Sequence, residues 1–441
     1  MQKRISSALL AIAVTFSLVA FAGVQAQALA DSFKSVAAGS GHSLAIKTDG
    51  SLWAWGDNTY GQIGDGTDIE KSKPVKIMDD AASIAAGWGH SLAIKTDGSL
   101  WAWGRNMFGQ LGNNANDDSH TPVKIMDSVV FIAASNEHSL AIDADGSLWA
   151  WGLNEFGQIG DGTNDIRRSP VKVMDDAICA AAGWGHSLAI KTDGSLWAWG
   201  YNEFGQLGDG TGEGSNVPVK IMDDAVSVTA GTTHSLAIKS DGSLWAWGFN
   251  THGQLGDGTN GSSNVPVKIM DSGAASIAAG DYHSFAIKTD GSLWAWGYNH
   301  CGQLGDGTVT ILDEKRNMVE DNNKMVPTET MSNVSCIASG DYYSLAVKTD
   351  GSLWAWGDNK HGQIGDGTVT TYNGSLLEED NNKPTPVQIT DGTDGAQPGN
   401  AGNAGAGRIN IPWGVIFGFA AIFLVVVGVV ALISRSRSRR R

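Results

Sequence analysis

The sequence predicts an all-β fold, a seven-bladed β-propeller, followed by one C-terminal transmembrane helix. Three observations lead there. A block of about 48 residues recurs seven times, each block holds four short strand candidates, and an uncharged apolar run of 23 residues, Ile411–Ile433, lies near the end.

The stretch from Ser43 to Gly56, SLAIKTDGSLWAWG, returns almost unchanged six more times. Its Trp-Ala-Trp cores begin at Trp53, Trp101, Trp149, Trp197, Trp245, Trp294 and Trp354, at spacings of 48, 48, 48, 48, 49 and 60. Self-similarity at such a period marks a repeat architecture and excludes a single compact α/β domain. In the fourth block the strand candidates are residues 177–183, 186–191, 195–200 and 218–222. Trp184-Gly185 and Thr192-Asp193-Gly194 are the turns between the first three, and Tyr201–Asn216 is a long loop before the fourth. Glycine after Asp supplies the positive φ that tight turns require.

The third candidate alternates Leu196 and Ala198 with Trp197 and Trp199, so both of its faces are apolar. A blade packed between two neighbours covers both faces. A linear solenoid would need polar capping units, and here the outer blocks resemble the middle ones. The chain begins with a first strand and ends with a fourth, residues 385–390. Either closure then rests on blade packing alone, with no overlapping strand, or the true blade boundary falls elsewhere in the unit.

The ends read differently from the repeats. Residues 1–30 carry Lys3 and Arg4, an apolar run and the small-residue patterns Ala26-Gln27-Ala28 and Ala28-Leu29-Ala30, the order of a secretory signal peptide. Residues 31–390 are the propeller, and residues 391–410, rich in Gly, Ala and Asn, read as a flexible linker. Residues 411–433 are long enough to span a bilayer as a helix. Residues 434–441, SRSRSRRR, form a basic tail expected on the cytoplasmic side. The predicted location is thus a cell membrane crossed once, with the propeller outside.

All 46 acidic residues lie between Asp31 and Asp394, against 23 basic residues between the two basic ends. A surface this acidic repels phosphate backbones and excludes nucleic acid as a partner. The three cysteines, Cys179, Cys301 and Cys336, are no disulfide framework. Cys179 and Cys336 fill a repeat position held elsewhere by Ser35 or Ser83, which reads as a small buried residue.

The recurring pattern G-x-x-H-S-L-A-[IV]-x-x-D-G-x-[LV]-x-x-W-G-x-N-x-x-G-Q-L-G is similar to the repeat of the regulator of chromosome condensation family. The resemblance runs over about residues 33–390 and implies a seven-bladed propeller. Family members include a nuclear guanine-nucleotide exchange factor and a secreted bacterial β-lactamase inhibitor. A shared fold does not settle the partner, and no exchange-factor residues are carried over onto this chain.

In a four-stranded up-and-down blade, the 1–2 turns and 3–4 loops share one face. The opposite face repeats Thr-Asp-Gly and Met-Asp-Asp with little change. The first face varies and is aromatic, and Trp88, Trp184, Tyr201, Phe249, Tyr282, Tyr298 and Tyr342 are its candidate binding residues. Variable loops on a rigid scaffold are where binding sites usually sit. Two of these loops, residues 309–325 and 369–383, are long and share Glu-Asp-Asn-Asn-Lys. That motif offers oxygen ligands but matches no defined Ca²⁺ loop, so solvated acidic loops are the expectation.

His42, His90, His138, His186, His234 and His283 form a series completed by Tyr343. One residue per blade argues for a structural role, an imidazole bonding the backbone of the next blade. No metal, cofactor or catalytic set is predicted. The Thr-Asp-Gly-Ser-Leu-Trp turn only loosely resembles a sialidase Asp-box, and the arginines of the repeats, Arg105, Arg167, Arg168 and Arg316, are too scattered for a carboxylate-binding triad. The expected function is a surface binding or scaffolding propeller with a protein or glycan partner. A carbohydrate-active hydrolase or lyase is the alternative of a different class, and nucleotide exchange is a distant third.

Overall fold

In the computed structural model the chain divides into two compact units, Met1–Asp394 and Gly395–Arg441. The structure describes residues 32–312, 318–373 and 376–390, all in the first unit. The signal peptide, linker, transmembrane helix and basic tail expected from the sequence lie outside the described residues. Among the described residues no helix is long and apolar enough to cross a membrane.

Seven four-stranded antiparallel sheets form the described unit, each built from four strands consecutive in the repeat. In the fourth blade these are Ala177–Ala182, His186–Lys191, Leu196–Gly200 and Ser215–Met222. The last begins three residues earlier than the pattern suggested, because Ser215 pairs with Gly200 across a bulge. The Asp193 turn holds the second and third strands in register. Asp193 Oδ1 accepts from Ser195 N (2.9 Å) and Oγ (2.6 Å), and Gly194 takes φ +81°.

The first strands of all seven blades line a central channel of about 270 Å³, walled by small and apolar side chains such as Val36, Ile84, Ala133 and Val228. Seven apolar clusters fill the gaps between consecutive blades. Each contains the second tryptophan of a Trp-Ala-Trp core, with no exposed surface. Trp199 of the fourth blade packs on Leu140, Leu148 and Ile159 of the third.

Polar groups bind the same gaps at one point. The main-chain carbonyl of Gln158 accepts from Trp199 Nε1 (2.9 Å) and from Ser187 Oγ (2.8 Å). Since Ser187 spends its proton there, its oxygen accepts from His138 Nε2, 2.8 Å away. The sequence correctly placed the histidines in the scaffold but named the wrong partner: they bond the serine of the next blade, not its backbone. The pattern holds from His42 with Ser91 (2.9 Å) to His283 with Ser344 (3.3 Å).

This tautomer leaves Nδ1 unprotonated. In five blades it faces a glycine, and a Cβ at Gly39 would come within 2.4 Å of both His42 Cε1 and the Gly87 carbonyl. The third blade has Ser135 there instead, and its hydroxyl donates to His138 Nδ1 at 2.8 Å.

Among the described residues no strand of another blade completes the last sheet, which consists of Val334–Ser339, Tyr343–Lys348, Leu353–Gly357 and Lys383–Ile389. Closure rests on side-to-side packing of Phe33, Val36 and Trp55 against Leu345, Leu353 and Ile364. Phe33 N donates to Gly351 O (2.9 Å), Trp55 Nε1 to Gln363 O (2.8 Å), and the Tyr343 hydroxyl to His42 O (2.5 Å).

Burial holds the six imidazoles neutral, lowering them from 6.5 to about 4 for His42 and about 3 for the others. The unfolded chain therefore takes up more protons below pH 6.5. Their contribution is complete above pH 6.5 and falls with pH toward 3, by about 1.4 kcal/mol per pH unit for each ring. Melting temperature is expected to start falling near pH 6.5, well before carboxylates protonate; a melting temperature flat from pH 7 to 5 would contradict this.

Candidate functional site

The 3–4 loops are rigid, which turns their side chains into a fixed surface. In the fourth blade Asn202 Nδ2 donates to the carbonyls of Thr211 (3.3 Å) and Glu213 (3.0 Å), while its Oδ1 accepts from Leu207 N (2.9 Å). Gln206 Oε1 accepts from Phe204 N (3.1 Å). The same braces recur around the ring, so neighbouring loops present equivalent positions to one another.

The long loops use their shared motif for the same purpose. Each carries a small hairpin, Ile311–Leu312 with Met318–Glu320 and Thr371–Asn373 with Leu376–Glu379. Asn323 Oδ1 accepts from Asn299 N (2.9 Å), Asn322 Nδ2 donates to Val309 O (2.9 Å), and Lys324 pairs with Asp306 (2.9 Å). Asn382, Asn381 and Lys383 repeat these bonds. The motif is a loop clamp.

The 1–2 turns and 3–4 loops do share one face: Gly185 abuts Phe156 and Tyr201. Six of the seven candidate residues fall into one continuous aromatic arc over the third to seventh blades. Trp184 meets Tyr201 edge-on with ring centres 5.6 Å apart, and Phe249 meets Tyr282 at 6.2 Å. Tyr298 lies 6.4 Å from both Tyr282 and Tyr342. Trp88 stands apart, under the Arg105 guanidinium at 4.6 Å and beside Tyr60 at 5.5 Å. Arg105 is itself paired with Glu137 at 2.5 Å.

Three links in the arc escaped the sequence reading. Phe156 joins Trp184 (5.1 Å) and Tyr201 (4.9 Å), Phe204 joins Phe249 (4.9 Å), and His252 joins Tyr298 (4.5 Å). All three hold the repeat position before Gly-Gln, which is Tyr60 and Phe108 in the first two blades. Aromatic character at that position was the available signal. The exposed members of the arc are Trp184 (37%) and Phe204 (38%).

The arc borders the channel mouth, a hollow of about 90 Å³ lined by the 1–2 turns, including Trp88, Trp184, Asp281 and Asp341. Asp341 accepts from Ser40 Oγ at 2.5 Å, and Asp281 accepts from Thr232 Oγ1. Burial, then the charge of Asp281, holds the Asp341 carboxyl well above the usual range, and burial raises Asp281 as well. Burial also pushes the Tyr201 hydroxyl up to about 12, helped by its bond to Glu203 at 2.6 Å. The three cysteines are free and part-buried, and burial raises Cys179 to about 11, the state of an unreactive thiol.

A family model for the RCC1-like domain matches residues 19–273 and 178–405. Over 52 residues, 12% of this chain, the sequence is 38% identical to the ultraviolet-B receptor UVR8 of Arabidopsis thaliana. Over 56 residues, 13% of this chain, it is 45% identical to the E3 ubiquitin-protein ligase HERC2 of Homo sapiens. These stretches span only 12% and 1% of those two proteins. Prp20p from Saccharomyces cerevisiae superposes with a TM-score of 0.68 at 23% identity, over 80% of this chain and 88% of that one. Human WBSCR16 gives 0.62 at 24% identity, over 70% and 84%. Both structural likenesses are of fold.

A carboxyl raised by folding favours the folded state at low pH, and that contribution is lost as pH climbs past the ordinary value near 3.9. Asp341→Asn is therefore expected to raise the melting temperature by several degrees at pH 8 and by less at pH 5. An equal or larger gain at pH 5 would refute the assignment.

Proposed function

Starting from a chain that belongs to the family of RCC1-like domains, we propose a binding or scaffolding propeller displayed at a cell surface, which recognises a protein partner through its aromatic loop face. Residues 1–30 export it, residues 411–433 anchor it, and residues 434–441 stay in the cytoplasm. The observation that carries the binding role is the aromatic arc across five blades. Aromatic side chains give large contact area with few rotatable bonds and dominate binding hot spots. Here they are already ordered by one another and by rigid loops, so little entropy is lost on binding.

The neighbours of known fold support a protein partner. Yeast RCC1 (Prp20) has been seen bound by Kap60, and Prp20p has binding properties to Gsp1p and histones. Those partners belong to that protein. Export and the acidic surface argue for a different partner here.

A glycan-active enzyme is the second reading, favoured by one observation: two carboxylates, Asp281 and Asp341, face the same hollow beside the arc. An acid with a raised pKa beside a second carboxylate is the pattern of glycoside hydrolysis. Glycan turnover by the intact protein, abolished in Asp341→Asn, would favour this reading over binding alone.

Cross-linking on intact cells with the full-length chain, followed by identification of captured proteins, tests the main reading. Trp184→Ala and Phe249→Ala are each expected to weaken capture at least tenfold, about 1.4 kcal/mol or more, with melting temperature little changed. Undiminished capture by the double variant would sink the arc as a binding surface. Protease added to intact cells is expected to degrade the propeller; full protection would overturn the surface location.

A further inference from the structure

The seam that closes the ring has a chemistry of its own. Asp57 opens the 3–4 loop of the first blade and Glu70 ends it, while His361 sits in the corresponding loop of the last blade. Their ligand-capable atoms lie within 4.8 Å of one another, and His361 Nδ1 is 2.7 Å from Glu70 Oε1.

The repeat supplies its own control. The positions of His361 and Asp57 are Phe156 and Tyr201 at another seam, with ring centres 4.9 Å apart. At the next they are Phe204 and Phe249, also 4.9 Å apart. At a third seam they are His252 and Tyr298, 4.5 Å apart, and elsewhere Arg105, Leu153 and Asp358 take the second position. The position of Glu70 is Gly214 and Ser262 in the blades of Tyr201 and Phe249. Only at the closing seam does every one of the three positions carry a carboxylate or an imidazole.

We propose that His361, Glu70 and Asp57 bind a divalent transition metal, with Zn²⁺ the best match, and that the ion staples the first blade to the last. One imidazole nitrogen and two carboxylates form a mixed N/O set that suits Zn²⁺ better than Ca²⁺ or Mg²⁺, which prefer oxygen alone. Zn–ligand bonds of about 2.0–2.2 Å place tetrahedral donor atoms about 3.3–3.6 Å apart. The three groups approach this already, and His361 and Glu70, with side chains 31% and 45% exposed, have room to rotate. Asp57 is braced as a metal-ligating carboxylate usually is: Oδ1 accepts from Thr59 N (3.0 Å) and Oγ1 (2.6 Å), and Oδ2 from Gln62 Nε2 (2.9 Å). Three protein ligands leave a fourth position for water. The staple lies where the fold most needs one, since these two neighbouring blades are not consecutive in the chain and, among the described residues, share no strand.

Full-length protein stripped with a chelator and titrated with ZnCl₂ tests this. One equivalent is expected to bind per chain, raising the melting temperature and slowing exchange of the Phe33 amide at the seam. Glu70→Gln and His361→Ala are each expected to weaken uptake at least tenfold and remove the rise. Glu70→Gln preserves size and hydrogen bonding, so its metal-free melting temperature should match the parent even if His361→Ala unfolds. No saturable binding, uptake unaffected by Glu70→Gln, or an equal rise with CaCl₂ would overturn the proposal.

Discussion

One carbonyl per blade organises this molecule. The main-chain oxygen of the glutamine in each 3–4 loop accepts both the indole N–H of the next blade's tryptophan and that blade's serine hydroxyl, as Gln62 does from Trp103 (2.9 Å) and Ser91 (2.8 Å). A buried carbonyl has two lone pairs, and leaving either unmet is costly. Both are met only when adjacent blades sit in one relative pose. The tryptophan brings the largest apolar surface in the gap to the same point. Packing and polar geometry therefore demand the same blade-to-blade rotation, seven times over.

That demand explains where the sequence is free to vary. Glycines next to the node cannot accept a side chain: a Cβ at Gly64 would fall 2.6 Å from Trp103 Nε1. Residues that point out of the loops, away from the node, meet no such restriction. The arc occupies those positions, so its composition can change without disturbing the ring.

The blade count, the strands of each blade and the division into a constant and a variable face were all legible in the sequence, because each is a local pattern repeated at a fixed period. What stayed hidden crosses blades. Phe156 and Tyr201 belong to different repeats, and their contact follows from the blade rotation, which no local pattern states. Trp88 was grouped with Trp184 because both hold the same turn position, but its neighbour is Arg105 where Trp184 has Tyr201. The long loops read as solvated acidic loops, because the backbone partners of their Asn side chains lie outside the motif. The His361 trio escaped because His361 lies 291 or more residues from Glu70 and Asp57 and meets them only when the ring closes.

Tyr343 gives the chain a way to count. Identical units stacked side by side carry no instruction to stop, and an array of them can grow by borrowing blades from a neighbouring chain. Here the last unit ends the histidine series with a phenol that reaches the His42 carbonyl, and a bare imidazole has no hydroxyl to do so. The seam between the last blade and the first thus carries a phenol-to-carbonyl hydrogen bond where every other seam carries an imidazole-to-hydroxyl one.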